Sequence, residues 1–374
     1  MMLLLKHTVG PIVKRIKNYS CEMYKGPDTA SLIISNHNSN LDPALVSLGF
    51  SRHAYFLASE HALRGGFGGK ILNFGFAPVP FNKAKADIAS VKETIRRLKA
   101  GASVCLFGEG DRSFSGVTCP VNISTAKLAK TSGADLITFR IEGGYFATPR
   151  WAKRNRKGPV SGAIVNKYSA ATLKTMSAEE VLGIIERDIY EDAYERQKDA
   201  PQRYVGEDLA ENLETALYLC PGCRKLGTLK SEGDRFFCGC GLDSRYTETG
   251  FLEGDALPFS RITEWYRWQE AELPVILNGI GDKSICTDEN QQLFEVSPAK
   301  GTTLIGEGAM SIDRQAIHCA GRSFPLADIT RVAITGQMDL LYSDKSGITY
   351  EVKSRIPRSA LKYREIFKVL TNKN

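Results

Sequence analysis

The chain of 374 residues is long enough for two or three domains and at least one large core. Its 43% hydrophobic content is ordinary for a globular protein, and no run approaches the roughly 18 apolar residues of a membrane-spanning helix. The balance of 49 basic to 42 acidic side chains, net +7, favours anionic partners such as phosphates, coenzyme A, nucleic acid or an acidic membrane surface without choosing among them.

The opening MMLLLKHTVGPIVKRIKNYS has too short an apolar core for a secretory signal. From Pro11 onward Ile12, Val13 and Ile16 alternate with Lys14, Arg15 and Lys17, a pattern for a short helix lying either on an anionic surface or on the protein's own core. Up to about residue 200, strand-like runs alternate with helical patterns, which predicts an α/β domain with a largely parallel sheet. Candidate strands are 31 to 35, 54 to 58, 75 to 79, 103 to 107, 135 to 141 and 161 to 167. Between them Ile88, Val91, Ile95 and Leu98 share one predicted helix face, stopped by Gly101. Ser177 and Glu180 form a capping-box pattern ahead of Leu182, Ile185 and Ile189.

Two loops in this region carry chemistry. SLIIS runs into Asn36-His37, and Asp42 follows after four residues. Asp42 with Pro43 reads either as the N-cap of a short helix or as a carboxylate that reaches back to fix the His37 tautomer, leaving the second ring nitrogen as a base. SVCLF runs into Gly108-Glu109-Gly110-Asp111-Arg112-Ser113, where the glycines permit close backbone approach and Arg112 offers a planar fork for a phosphate, unless it is simply a solvated turn residue. Since both loops follow strands, both can open on one edge of the sheet.

With these residues the chain resembles the glycerolipid acyltransferases of the lysophosphatidic acid (1-acylglycerol-3-phosphate) acyltransferase type, over roughly residues 20 to 200. The family's first motif, Asn-His, four residues, Asp, is matched by Asn36, His37 and Asp42. Its third, Phe-Pro-Glu-Gly-Thr-Arg-Ser, is matched by Phe107, Glu109, Gly110, Arg112 and Ser113, with Gly108 and Asp111 departing. At the second motif Pro78-Val79-Pro80-Phe81-Asn82-Lys83 lacks the usual arginine, with Lys83 as a substitute, and at the fourth Thr138 stands where a proline is usual. The resemblance implies direct acyl transfer from acyl-CoA or acyl carrier protein to a lysophospholipid hydroxyl, in phospholipid biosynthesis. It assigns His37 as base and Asp42 as its orienting partner. Asn36, Lys83, Gly108, Glu109, Gly110, Arg112 and Ser113 fall on the substrate side, and backbone N–H groups near Gly108 to Gly110 are candidate oxyanion donors.

PRWAKRNRKG places Trp151 among five basic residues, suited either to lipid headgroups or to a solvated basic loop. Cys220 and Cys223, then Cys238 and Cys240 after a fourteen-residue gap, form two close thiol pairs that resemble a zinc ribbon with a structural zinc; a redox pair and buried thiols are the alternatives. The remaining five of nine cysteines read as ordinary thiols of a reducing cytosol. From about 284, GTTLIGE, QAIHCAG, ITRVAITG, DLLYSD and ITYEVKS read as short strands before a helix with Tyr363, Ile366, Phe367 and Leu370 on one face. That order of elements resembles pleckstrin-homology-like domains. The expected organisation is an acyltransferase domain over 1–205, a zinc ribbon with a flanking helix over 206–250 and a β-rich module over 251–374. The reading is of a cytoplasmic protein, peripheral on the inner, anionic face of the membrane. A non-catalytic lipid- or protein-binding scaffold is the alternative. No nucleic acid is expected, because the basic residues lack an interleaved aromatic platform.

Overall fold

The computed structural model describes residues 18–26, 29–59, 77–81, 88–281, 283–297 and 301–372. The expected helix over 11–17 and Lys83 lie outside them. Two compact units partition the chain, the first running to Gly206 and the second comprising 83–85, 151–154 and 207–374.

The first unit is built on a seven-stranded sheet. Its strands are β1 (Tyr19–Cys21), β2 (Ser31–Ser35), β3 (Ala54–Ser59), β4 (Val79–Phe81), β5 (Ser103–Phe107), β6 (Asp135–Glu142) and β7 (Val160–Tyr168), in the order β1-β7-β6-β2-β5-β3-β4. Strands β6, β2, β5, β3 and β4 run parallel, and β7 pairs antiparallel with β6. Every residue of β2 is buried, because helices cover both faces of a parallel sheet and leave no side for water. Pro80 sits in β4, the edge strand, where its missing N–H costs no ladder bond.

Among the described residues of this unit the helices are α1 (Asp42–Ser47), α2 (Ile88–Lys99), α3 (Ile123–Ser132), α4 (Gly144–Ala147), α5 (Ala170–Thr175), α6 (Ala178–Ile189) and α7 (Ala193–Asp199). On one sheet face Leu32, Ile34, Val104, Leu106 and Leu136 pack with Leu98, Ala126, Leu128, Leu173, Val181, Ile185 and Ile189. Alternation sends Ile33, Cys105 and Ile137 to the other face, equally buried. The capping box forms as its spacing suggests: Glu180 N–H donates to Ser177 Oγ at 3.0 Å, and Ser177 N–H to Glu180 Oε2 at 2.6 Å.

Helix α2 forms as expected, with Leu98 buried and Ile95 packed against the core, but the first half of its predicted face is corrected. Ile88 is 67% and Val91 40% exposed, while Ser90, Thr94 and Leu98 are buried. The inward stripe is turned because Thr94 Oγ1 donates to the Ser90 carbonyl at 2.8 Å, which satisfies the hydroxyl in the core and lets small polar residues face it. Trp151 is a second correction. It is fully buried, edge-on to Tyr246 at 5.4 Å, and Arg150 and Arg156 are buried too, so the indole does not meet headgroups. Of the basic residues around it, Arg154 pairs with Glu207 and Asp208, and Lys153 with Glu211.

In the second unit, β8 (Leu229–Glu232), β9 (Arg235–Cys238), β10 (Asp243–Tyr246) and β11 (Leu252–Glu253) form a small antiparallel sheet. Residues 207–228 hold a single 3-10 turn, Leu213–Thr215. Helix α8 (Ile262–Gly279), which the sequence reading passed over, buries Trp265, Leu273 and Leu277. An antiparallel sheet follows in the order β15-β14-β13-β12-β18-β17-β16, made of β12 (Cys286–Ser297), β13 (Gly301–Ile312), β14 (Ala316–Cys319), β15 (Arg322–Pro325), β16 (Ile329–Thr335), β17 (Asp339–Asp344) and β18 (Thr349–Ser354). Closing helix α9 (Ala360–Thr371) buries Tyr363, Ile366 and Phe367, and its buried Lys362 pairs with Asp288 of β12 at 2.7 Å. No helix among the described residues is long and apolar enough to cross a membrane.

Candidate active site and four-cysteine cluster

Ser35 of β2 lies beside Phe107 of β5 in a parallel register, so the loops leaving both strands open on one edge of the sheet. At the β2 end, Asn36 is locked to β6: its Nδ2 donates to the Ile141 carbonyl at 2.7 Å and its Oδ1 accepts from Ile141 N–H at 2.8 Å. His37 follows, with its ring stacked on Phe107 at 4.2 Å and its side chain 21% exposed.

The two readings of Asp42 separate here. Leu41 occupies the N-cap position of α1 and Asp42 lies in the first turn with Pro43 beside it, so its carboxylate is not a helix cap. That carboxylate is fully buried and turned back into the loop. Oδ2 accepts from His37 Nδ1 at 2.8 Å, Asn38 N–H at 2.6 Å and Ser39 N–H at 2.8 Å, and Oδ1 accepts from Ser39 Oγ at 2.6 Å. A carboxylate only accepts, so Nδ1 carries the ring proton and Nε2 is the basic nitrogen.

The glycine-rich loop supports this arrangement from the side. Glu109 Oε1 accepts from His37 N–H at 2.6 Å and Oε2 from Cys119 N–H at 2.5 Å. Its residue keeps some exposure while the carboxyl is enclosed, and burial pushes that carboxyl up to about 8 against the pull of the two N–H groups. A Cβ at Gly108 would lie 3.2 Å from Ile34 Cγ2 and 3.3 Å from Val121 Cγ1. Gly110 has φ +67° and closes a turn by donating to the Phe107 carbonyl at 3.1 Å, so its N–H is engaged in the turn and is not an oxyanion donor. Buried Ser113 accepts from Gly116 N–H at 3.0 Å through its Oγ. Arg112, half-buried, is close enough to Asp42 to feel its charge.

Asn36, His37, Asp42, Gly108, Glu109, Gly110, Arg112 and Ser113 thus meet at one sheet edge. Lys83 is outside the described residues. Thr138 lies inside the sheet, where its Oγ1 donates to Asp188 Oδ2 at 2.9 Å.

Residues 17–142 match the family model described as Acyltransferase. Both loops fall inside that span, and the match supports acyl transfer as the general chemistry of this segment. The chain is also similar to the crystal structure of the 1-acyl-sn-glycerophosphate (LPA) acyltransferase, PlsC, from Thermotoga maritima, at 20% identity over 55% of this chain and 81% of that one, with a TM-score of 0.43. No curated protein matches the chain.

Two residues of the site escaped the sequence reading. Arg150 pairs with Asp111 at 2.7 Å, and Glu191, just past α6, accepts from Gly143 N–H at 2.9 Å, Arg196 Nε at 3.4 Å and Asn38 Nδ2 at 3.5 Å. Burial pushes the Glu191 carboxyl up to about 7. Only its position beyond the capped helix, within a charged stretch, hinted at it.

Separately, in the second unit, the Sγ atoms of Cys220, Cys223, Cys238 and Cys240 all lie within 4.8 Å of one another. Cys220 and Cys240 are 3.6 Å apart and Cys223 and Cys238 3.8 Å, close to the about 3.8 Å edge of a tetrahedron with Zn–S bonds of about 2.3 Å. A Cβ at Gly222 would stand 3.2 Å from Cys240 Sγ, a tight approach that glycine avoids. The four thiols are therefore compatible with a tetrahedral zinc site.

The purified protein should hold about one zinc per chain, and Cys220→Ser or Cys238→Ser should raise hydrogen exchange in the 217 to 245 segment while leaving the His37 loop unchanged. Elemental analysis without stoichiometric metal would refute this. Glu109 and Glu191 set a pH dependence: with folded values raised to about 8 and about 7, each keeps a proton that the unfolded chain has released. The stability tied to those protons is full below the ordinary value of 4.5 and is lost as pH rises through 7 and 8. The thermal midpoint should fall as pH rises above 4.5 toward those values, and Glu109→Gln should remove its share of that slope, which levels off near 8; an unchanged profile in that variant would contradict the assignment.

Proposed function

We propose that the first unit transfers a fatty acyl group from an acyl thioester, carried by coenzyme A or acyl carrier protein, to the hydroxyl of a lysophospholipid-type acceptor at a membrane surface, as a step of phospholipid biosynthesis. The observation that carries the proposal is the 2.8 Å contact between His37 Nδ1 and the buried Asp42 Oδ2 at the carboxyl end of a parallel strand.

His37 Nε2 takes the proton of the acceptor hydroxyl as its oxygen attacks the thioester carbonyl. Asp42 holds the ring in the reactive tautomer and stabilises the imidazolium that forms. Collapse of the tetrahedral intermediate expels the thiolate, which takes the proton back from His37, so no acyl-enzyme is required. Asn36 and Glu109 fix the loop that presents His37. Arg112, with Lys83 in support, binds the phosphate of a 1-acylglycerol-3-phosphate acceptor. Gly108 brings the backbone close to the substrate, and Ser113 holds the turn behind it. The four cysteines bind a structural zinc in a ribbon. The following strands, in the order β15-β14-β13-β12-β18-β17-β16 with a closing helix, form a pleckstrin-homology-like module. Peripheral attachment to an anionic cytoplasmic membrane face fits the net charge of +7.

Thioester consumption against a panel of lysolipids tests the proposal. His37→Ala should abolish transfer, whereas Asp42→Asn should leave a small residue of activity, about 10⁴-fold below the wild type, because orientation is lost but the base remains. Full activity of folded His37→Ala protein would sink the assignment.

A further inference from the structure

Resting on the reading of Arg112 as the acceptor's anion contact, we propose that Arg150 is a second, positioning arginine of that subsite: it neutralises Asp111 and fixes the loop so that Arg112 is offered to a phosphate.

The geometry joins all three residues. Arg150 Nη1 lies 2.7 Å from Asp111 Oδ1 and donates to the Arg112 carbonyl at 2.9 Å. The same Asp111 Oδ1 accepts from Arg112 N–H at 3.0 Å. The Arg150 guanidinium is stacked 4.2 Å over the Phe114 ring, and its side chain is only 1% exposed. One guanidinium thus holds the residue before Arg112 and the carbonyl of Arg112 through Nη1, and the ring two residues beyond it through its flat face. Tyr145, three residues after Glu142 of β6, donates to the Phe114 carbonyl at 3.1 Å and secures the far side of the turn.

Charge explains why such a residue is needed. Asp111 puts a carboxylate next to the arginine that has to attract a phosphate, and alone it would repel the phosphate and compete for Arg112. Pairing with Arg150 cancels it. Burial and the neighbouring Arg150 guanidinium bring Arg112 down to about 10, the situation in which an arriving anion relieves both desolvation and repulsion. At 1% exposure Arg150 does not itself reach the ligand, so its effect passes through Asp111 and Arg112.

The test uses the full chain and inorganic phosphate as probe, measured by calorimetry. Wild type should bind phosphate, Arg150→Ala should bind it about tenfold or more weakly, and adding Asp111→Asn to Arg150→Ala should recover most of the loss, because the unmasked carboxylate is gone. A merely structural Arg150 predicts that the double variant is no better than the single one. Where Arg150→Ala does not fold, Arg150→Lys serves: it keeps the charge but loses the flat guanidinium stacked on Phe114 that sets Nη1 against both Asp111 and the Arg112 carbonyl, so affinity should still drop. In turnover, Arg150→Ala should raise KM for a phosphorylated acceptor and spare that for the thioester. Equal phosphate affinity across the variants, no phosphate binding by the wild type, or a double variant without recovery would overturn the proposal. Intact, Arg150-dependent phosphate binding in a wild type that transfers acyl groups to no acceptor would instead refute the proposed function and leave the subsite standing.

Discussion

The buried carboxylate of Asp42 is the constraint around which the first unit's site is arranged. Enclosing an acceptor with no exposure is costly unless its lone pairs are filled, and here the His37 ring, two backbone N–H groups and a serine hydroxyl fill them. All four donors come from residues 37 to 39, so the interaction that satisfies the carboxylate also shapes the loop and sets the histidine tautomer. The first turn of α1 carries Asp42 at the end where partial positive charge favours an anion.

Around that hub the sheet supplies rigidity. Because β2 and β5 run side by side, the glycine-rich turn reaches His37 from the neighbouring strand, and the Glu109 carboxyl group clamps the histidine's backbone while Phe107 supports its ring. Asn36 ties the same loop to β6, and Asn38 contacts Glu191 beyond α6. The His37 loop is therefore anchored by three separate stretches of chain. A general base has to hold its geometry within a fraction of an ångström, which is what such redundancy provides.

Much of this was legible because buried parallel strands read as unbroken apolar runs: SLIIS and SVCLF stand out, and each ends in a polar loop. The alternative readings of Asp42 were not separable by spacing, since Asp-Pro suits a cap as well as a dyad and only the direction of the side chain decides. Within α2 only Ile88 and Val91 misled, because apolar period was weighed without allowing a threonine to satisfy its hydroxyl on its own helix. Arg150 and Trp151 were hidden in a basic run, where composition suggests solvent and tertiary partners impose burial. In the second unit the polar start of β12, CTDENQQLFEVS, and the proline of β15, RSFP, hide strands from local preference: β12 is held by partners on both sides, and β15, as an edge strand, tolerates its proline. Helix α8 holds Pro274 within its span, a breaker in sequence that the structure tolerates.

What distinguishes a working dyad from a coincidental contact is the protonation pattern of one ring. Nitrogen-15 NMR of histidine-labelled protein at neutral pH reads it directly. Dependence on Asp42 predicts a His37 ring protonated at Nδ1 and bare at Nε2, with a strongly downfield Nδ1 proton that disappears in Asp42→Asn. A His37 ring protonated at Nε2 in the wild type, or a spectrum unchanged by Asp42→Asn, would contradict it.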